Sequence, residues 1–417
     1  MNSGPLKGKN DMIDENLFAN TIAHGEELFL RGEIQEAFEA FESVLEKDPD
    51  NVRALNDKGV LLNSTERPQE AILNFSKALE IDPYHPDAAF NLISTHLALA
   101  DWEGAETHYS RYAGSLPPGD AETLARDILE LKFGDTCSPS LKSIPLTVHI
   151  DSHTYFLRLF LDTRKYSQRI LWDHVSRNQA YEPGLFKLLG EVLEPGDCFV
   201  DVGAHIGYFS LLASRIVGEK GRVIAVEPEA LNAAHLEKHL RENKADNVIL
   251  IQGAAGAVTG EANLYYNSDN DGGHALWDTG LHFYNQKTRE QRIVRRVPSF
   301  TVDDILGQSG TGKIKLLKID TEGAEKDVLS GCTKIISNDG VPYVVCEINA
   351  FGLHQMGTHE KEIRDFMEEQ GFGTYLLQDG SPHIVRLLPG QYVKSRYVFN
   401  LLFMKGNLQG DNFSGVD

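Results

Sequence analysis

Cys198-Phe-Val-Asp201-Val-Gly203-Ala204-His205-Ile-Gly207-Tyr208 decides the fold class of this 417-residue chain. A strand is expected over Cys198–Gly203, apolar except for Asp201, and its glycine turn opens an amphipathic helix over 208–217. Strand, glycine turn and helix in that order begin a βαβ unit, where ligands sit beyond the carboxyl ends of the strands. Gly203 lets the backbone approach a ligand closely, and Gly207 lets the helix start against the strand. The spacing is Gly-x-x-x-Gly, not the Gly-x-Gly-x-x-Gly that cradles a pyrophosphate.

Downstream the pattern repeats. A second strand, Val223–Glu227, carries its only acid at its carboxyl end, followed by Pro228. Glu227 lies 20 residues after Gly207, where an acid grips ribose hydroxyls. The competing reading is a cap on the helix that starts near Ala230. The third strand, Val248–Gln252, runs into Gly253 and Ala254, a small-residue edge that suits an adenine. Further strands are expected at Ile314–Asp320, Val341–Glu347, Thr374–Leu377 and Tyr397–Met404. Helices are expected at Gly184–Leu193, Tyr208–Val217, Ala230–Asn243, Ala324–Ile336 and Glu360–Gln370. Such alternation predicts an α/β fold with a mostly parallel sheet covered on both faces, preceded by a hairpin or strand over Thr147–Leu161.

Lys318-Ile-Asp320-Thr-Glu322-Gly323-Ala-Glu325 places three acids and a lysine at one strand exit. That crowding is unfavourable unless the groups pair or do chemistry. Glu325 also charges the following helix N-terminus favourably, which accounts poorly for Lys318 and Asp320.

These strings resemble the FkbM family of methyltransferases, as do Tyr181-Glu182-Pro183 ahead of the first strand and Thr301-Val-Asp303-Asp304 before the fourth. His205 and Thr321 depart from the residues the family often has there. The resemblance covers residues 180–405. It implies a class I methyltransferase fold, Rossmann-like, with a seven-stranded sheet whose last strand is antiparallel. It also implies S-adenosylmethionine as donor and O-methylation of a hydroxyl on a sugar, glycan or polyketide-like metabolite. The expected cofactor contacts are Glu182, Asp201, Gly203, Ala204, His205, Gly207, Tyr208, Glu227, Pro228, Gln252, Gly253 and Ala254. An alcohol needs a base nearby; Asp320 is the first candidate and Glu322 the second, with Lys318 orienting the carboxylate. Asp320, Glu322 and Glu347 would suit a hard cation, but no motif has firm ligand spacing, and no metal is expected. A nicotinamide-dependent oxidoreductase shares the glycine turn and ribose acid but lacks the pyrophosphate fingerprint. Acceptor contacts are expected from the insertion Asn267–His274 with Trp277, Phe283 and Tyr284. The basic cluster Lys287, Arg289, Arg292, Arg295 and Arg296 is expected to be a solvated strand face.

The first third repeats itself. Glu36-Ala37, Phe41, Leu45 and Asp48-Pro49 recur 34 residues later as Glu70-Ala71, Phe75, Leu79 and Asp82-Pro83, and Gly25 recurs as Gly59. Ala105, Tyr109 and Pro117 mark a third copy, in which Ile93 replaces the glycine. A 34-residue period with small residues at helix crossings resembles the tetratricopeptide repeat, an all-α array of stacked helix pairs. It would hold a protein partner, associate with itself or merely orient the catalytic domain. The array could also guide a protein substrate to the methyltransferase domain, or serve as an adaptor beside a non-catalytic one. The expected organisation is a disordered tail over 1–17, three repeats over 18–119, a linker and lead-in over 120–180, the methyltransferase domain over 181–405 and a tail over 406–417.

Charge narrows the partners further. The net charge is −21, and residues 1–120 hold 22 acidic against 9 basic side chains. Such a surface repels nucleic acid and anionic lipid. No stretch approaches the ~18 apolar residues that span a bilayer. The four cysteines lack any disulfide or metal spacing, which fits a reducing cytoplasm.

Overall fold

The computed structural model describes residues 9–150, 152–311, 313–377, 384–391, 393, 395 and 397–405. The chain divides into two units, Met1–Gly134 and Asp135–Asp417.

Among the described residues the first unit holds seven α-helices: α1 (Lys9–Leu30), α2 (Ile34–Leu45), α3 (Val52–Ser64), α4 (Pro68–Ile81), α5 (Pro86–Ala98), α6 (Trp102–Tyr112) and α7 (Pro118–Gly134). The 34-residue sequence offset has a steric cause. A Cβ on Gly25 would lie 2.7 Å from the Phe41 ring, and one on Gly59 would lie 2.5 Å from the Phe75 ring. Each glycine is therefore the point where the two helices of a repeat cross. The third unit substitutes Ile93 and Tyr109, both fully buried, and the Tyr109 hydroxyl donates to the Ala121 carbonyl at 3.0 Å. Helix α1 starts inside the span expected to be a tail, because no proline or glycine interrupts the chain from Lys9 to His24. The remaining tail residues, 1–8 and 406–417, lie outside the described residues.

The second unit opens with a hairpin, β1 (Leu141–Ile150) and β2 (His153–Asp162), then α8 (Tyr166–Val175) and α9 (Pro183–Val192). The span 120–180, expected as linker and lead-in, holds most of α7, the hairpin and α8. Alternation follows: β3 (Cys198–Val202), α10 (Tyr208–Val217), β4 (Arg222–Glu227), α11 (Ala230–Asn243) and β5 (Val248–Gln252). An insertion comes next, with β6 (Ala254–Ala255), β7 (Gly260–Tyr265), α12 (Gln286–Glu290) and β8 (Val294–Phe300) forming a small sheet of order β6-β8-β7. The chain then resumes with α13 (Val302–Ser309), β9 (Leu316–Ile319), α14 (Glu325–Ser330), α15 (Thr333–Ser337), β10 (Tyr343–Ile348), α16 (Ala350–Gln355) and α17 (Glu360–Glu369). It ends with β11 (Phe372–Leu377), β12 (Ile384–Leu387) and β13 (Phe399–Lys405).

The main sheet runs β12-β11-β13-β10-β9-β3-β4-β5. Strands β3, β4, β5, β9 and β10 are parallel, while β13 inserts antiparallel between β10 and β11. Seven of these strands follow the expected pattern; the short β12 adds an eighth on the edge, antiparallel to β11. Alternate residues of β3 face opposite layers. Phe199 packs with the hairpin and α8–α10, while Val200 and Val202 pack with α13–α17. The helix expected over Ala324–Ile336 breaks at Gly331. A Cβ there would meet the Gly256 carbonyl oxygen at 2.2 Å, so two short helices replace one.

Strand order reverses between β3 and β9, which is the switch point where the loops after adjacent strands part. Gly203 fits that crevice because nothing larger can. At φ +77°, its Cβ would sit 1.7 Å from the Asp320 carbonyl oxygen. No described helix is long and apolar enough to cross a membrane.

Candidate active site

A cleft opens beyond the carboxyl ends of β3, β4, β9 and β10. Of the residues expected to touch a cofactor, Glu182, Gly203, His205, Glu227, Pro228, Gly253 and Ala254 line it. Asp320, Glu322 and Glu347 line it as well, together with Tyr166 and Ser167 from α8 and Tyr181.

Glu227 is held in the cleft by two backbone donors. Its Oε2 accepts the His205 N–H at 2.8 Å and its Oε1 accepts the Glu229 N–H at 2.9 Å. These two bonds fix the carboxylate while leaving each oxygen a lone pair for a further donor. Burial pushes its pKa up to about 7, against the opposing pull of His205. The capping alternative goes to its neighbour instead: Glu229, not Glu227, accepts the Asn232 N–H at 2.8 Å as the N-cap of α11.

Six expected site residues do not line the cleft. Asp201 is 1% exposed beneath it, accepting from the Ser210 hydroxyl at 2.6 Å and facing Lys318 Nζ at 3.3 Å. Cross-strand register explains this, since Asp201 pairs with Lys318 on β9. Lys318 is itself buried, with Nζ 3.1 Å from Asp320 Oδ2 and 3.3 Å from the Gly203 carbonyl. Burial opposes its charge, yet Asp320 and Asp201 hold its pKa above the ordinary lysine range. It positions Asp320 without reaching the cleft. Gly207, at φ +85°, begins α10, and its Cβ would strike Leu236 at 2.0 Å, so it serves helix packing. Ala204 and Tyr208 are core residues, and Gln252 ends β5 outside the lining.

The β9–α14 turn is held from inside. Glu325 Oε1 accepts the Thr321 and Gly323 N–H groups at 3.1 and 3.0 Å. Glu322, at φ +56°, has its Oε2 bonded to Asn349 Nδ2 at 2.6 Å, and Trp277 Nε1 donates to its carbonyl at 2.6 Å. Burial, then the Asp320 charge, lifts the Glu322 carboxyl to about 8. Glu347 is lifted well above the carboxylate range for the same reasons, with Glu182 and Glu322 adding to the effect. Among the described residues no group of three or more His, Cys, Asp and Glu side chains has a metal-holding arrangement.

His205, at φ +51°, links the glycine turn to the insertion. Its Nε2 lies 3.4 Å from Asp271 Oδ2 and 3.4 Å from Ser167 Oγ. Burial lowers its pKa, but the Asp271 carboxylate together with the Glu227 and Asp320 charges raises it on balance. Asp271 also accepts the Ser167 N–H at 2.9 Å and Gln168 Nε2 at 3.0 Å, tying α8 into the wall. Asp271 stands inside the quoted insertion string. The contributions of α8 carried no sequence signal, because Ser167 lies 104 residues from its partner.

The family profile of the methyltransferase FkbM domain matches residues 201–373, from the buried acid of β3 into β11. The second unit carries an FkbM methyltransferase domain. Tetratricopeptide-repeat profiles match residues 22–86 and 62–125 of the first unit. The chain is similar to AMB antimetabolite synthetase AmbE of Pseudomonas aeruginosa, 27% identical over 223 residues, 46% of this chain and 10% of that one. The chain is also similar to a probable cobalt-precorrin-6B C(15)-methyltransferase (decarboxylating) of Sulfolobus acidocaldarius, 30% identical over 122 residues, 29% of this chain and 60% of that one. The chain thus spans a tenth and three fifths of these curated relatives. Among solved structures, PcrH from Pseudomonas aeruginosa is 20% identical with a TM-score of 0.26, covering 28% of this chain and 93% of its own. The chain thus joins matches to tetratricopeptide repeats with a match to the methyltransferase FkbM domain.

Proposed function

We propose that the FkbM domain binds S-adenosylmethionine in this cleft and methylates a hydroxyl of a sugar, glycan or polyketide-like metabolite. The charge of the cleft supports the cofactor reading most strongly. Its described lining contains Glu182, Glu227, Asp320, Glu322 and Glu347 but no lysine or arginine. A pyrophosphate would find no lysine or arginine there, whereas a sulfonium cation and a ribose diol suit the carboxyls. Glu227 would hold the ribose hydroxyls through its two remaining lone pairs, and the Gly253–Ala254 edge would admit the flat base. The bound cofactor would supply an activated methyl group for in-line transfer.

The chain's own residues divide the remaining work. Asp320, the first candidate for the base, is paired with Lys318 at 3.1 Å, which fixes where its carboxylate points. Glu322, held by Asn349 and lifted to about 8 by burial and the Asp320 charge, takes the base role in this reading. Asp320 then accepts a hydrogen bond and orients the hydroxyl. Tetratricopeptide repeats commonly mediate protein interactions, and in this reading the first unit does so here.

The test is transfer of a labelled methyl group from S-adenosylmethionine into small-molecule and peptide extracts. The reading expects label in base-stable methyl ethers, lost in Asp320→Ala. Label found only in base-labile esters, or only in protein, would overturn the hydroxyl assignment.

A further inference from the structure

A second chamber of about 540 Å³ adjoins the cleft, and Tyr166, Asn270 and Glu322 line both. Glu322 therefore stands where the two meet.

The wall of this chamber is aromatic and interlocked. Phe351 meets Trp277 edge-on with centroids 5.4 Å apart and His282 at 4.7 Å and 86°. Tyr284 and Tyr397, 74% and 84% exposed, extend that surface outward. Opposite chemistry comes from amides, including Asn267, Asn285 and Asn349, and the aliphatic lining is limited to Ala350 and Val398. Rings beside amides suit a ligand with one apolar face and a rim of hydroxyls. A long alkyl or polyketide chain would call for more aliphatic surface.

Charge settles the other half. The described lining holds the carboxyls of Asp269 and Glu322 and no lysine or arginine. The four arginines of the nearby basic cluster are engaged elsewhere, and the charge of Lys287 acts on Asp269. Arg289 donates to the Gly280, His282 and Phe283 carbonyls, Arg292 pairs with Asp278, Arg295 with buried Glu229, and Arg296 with Glu261. An anionic ligand would face two carboxyls and no lysine or arginine in the described lining.

We propose that this chamber is the acceptor site and is built for an uncharged pyranose ring, stacked on Phe351 and presenting a hydroxyl to Glu322. The direction in which that hydroxyl points rests on the cofactor reading of the adjoining cleft; the ring specificity does not.

Saturation-transfer NMR on the full chain, without cofactor, tests it with methyl α-D-glucopyranoside and methyl α-D-mannopyranoside against methyl α-D-glucuronide and glucose 6-phosphate. At least one neutral glycoside should bind, with the two anions weaker by about tenfold or more. Phe351→Ala and the exposed Tyr284→Ala should each weaken the neutral ligand about three- to tenfold, the worth of one ring contact. S-adenosylmethionine affinity in both variants should stay within about twofold. Equal or tighter binding of either anion, no binding of any glycoside, or unchanged affinity in both variants would overturn the proposal. Glycoside binding without any S-adenosylmethionine binding would remove the cofactor reading and leave the chamber assignment standing.

Discussion

Replacing Lys318 by methionine removes the cation beneath the cleft while keeping its length. Three oxygens lose their partner: Asp320 Oδ2 at 3.1 Å, Asp201 Oδ1 at 3.3 Å and the Gly203 carbonyl at 3.3 Å. Asp320 has a side chain 24% exposed and can regain water, so its share is small. Asp201 cannot, being 1% exposed with only the Ser210 hydroxyl left. Breaking a buried pair from one side costs about 3–5 kcal/mol, most of it from the stranded charge. In a unit of this size each kcal/mol moves the transition by roughly 2–4 °C, which gives about 6–20 °C. Asp201→Asn in the same background removes that charge and keeps an acceptor for Ser210, so it should recover roughly half of the loss. The assay is thermal unfolding of the full chain followed by tryptophan fluorescence. A fall of less than about 2 °C in the single variant, or no recovery in the double variant, would refute the ion-pair account.

Other consequences follow from the same geometry. Glu322→Gln keeps the contact with Asn349 but removes the base, so turnover should fall by about a hundredfold, and the acid limb near pH 8 should vanish from the rate profile; an unchanged limb would take Glu322 out of the role. Glu227 and Glu322 have pKa values raised to about 7 and about 8 from 4.5, so the folded state binds more protons than the unfolded one across that range. Their contribution is fully present below the unfolded value and is lost as pH rises through the folded ones. The buried neutral histidines His239 and His274, lowered to about 4 and about 3, act oppositely but only below about pH 6.5. Denaturant unfolding should therefore show stability falling between about pH 7 and 8.5, and a rise there would contradict the burial of these acids. Gly59→Ala drives a methyl group into the Phe75 ring and should destabilise the repeats by about 1–3 kcal/mol by chemical denaturation; a neutral change would show that the helix crossing is looser than described.

What the sequence made legible was local. The β3 turn, the acid after β4 and the charged string after β9 each lie on one stretch of chain, and their strand-to-turn order is written in hydrophobic period and glycine placement. The 34-residue offset likewise encodes a contact, glycine against a ring, that recurs with the repeat. Less legible was which member of a turn faces the ligand. Asp201, Gly207 and Tyr208 share one string with Gly203 and His205, yet alternation along β3 sends Asp201 toward Lys318, and helix packing claims Gly207. The second chamber was only half visible. Trp277 and Tyr284 stood in the insertion, but Phe351, Asn349 and Tyr166 come from α16, its cap and α8, which only the tertiary fold brings together.

Calorimetric titration of the full chain with S-adenosylmethionine, with NAD and Glu227→Ala as controls, tests the central claim most directly. The account predicts micromolar binding of S-adenosylmethionine, loss of at least about tenfold in Glu227→Ala, and no measurable binding of NAD. Binding of NAD in place of S-adenosylmethionine, or full affinity in Glu227→Ala, would contradict it.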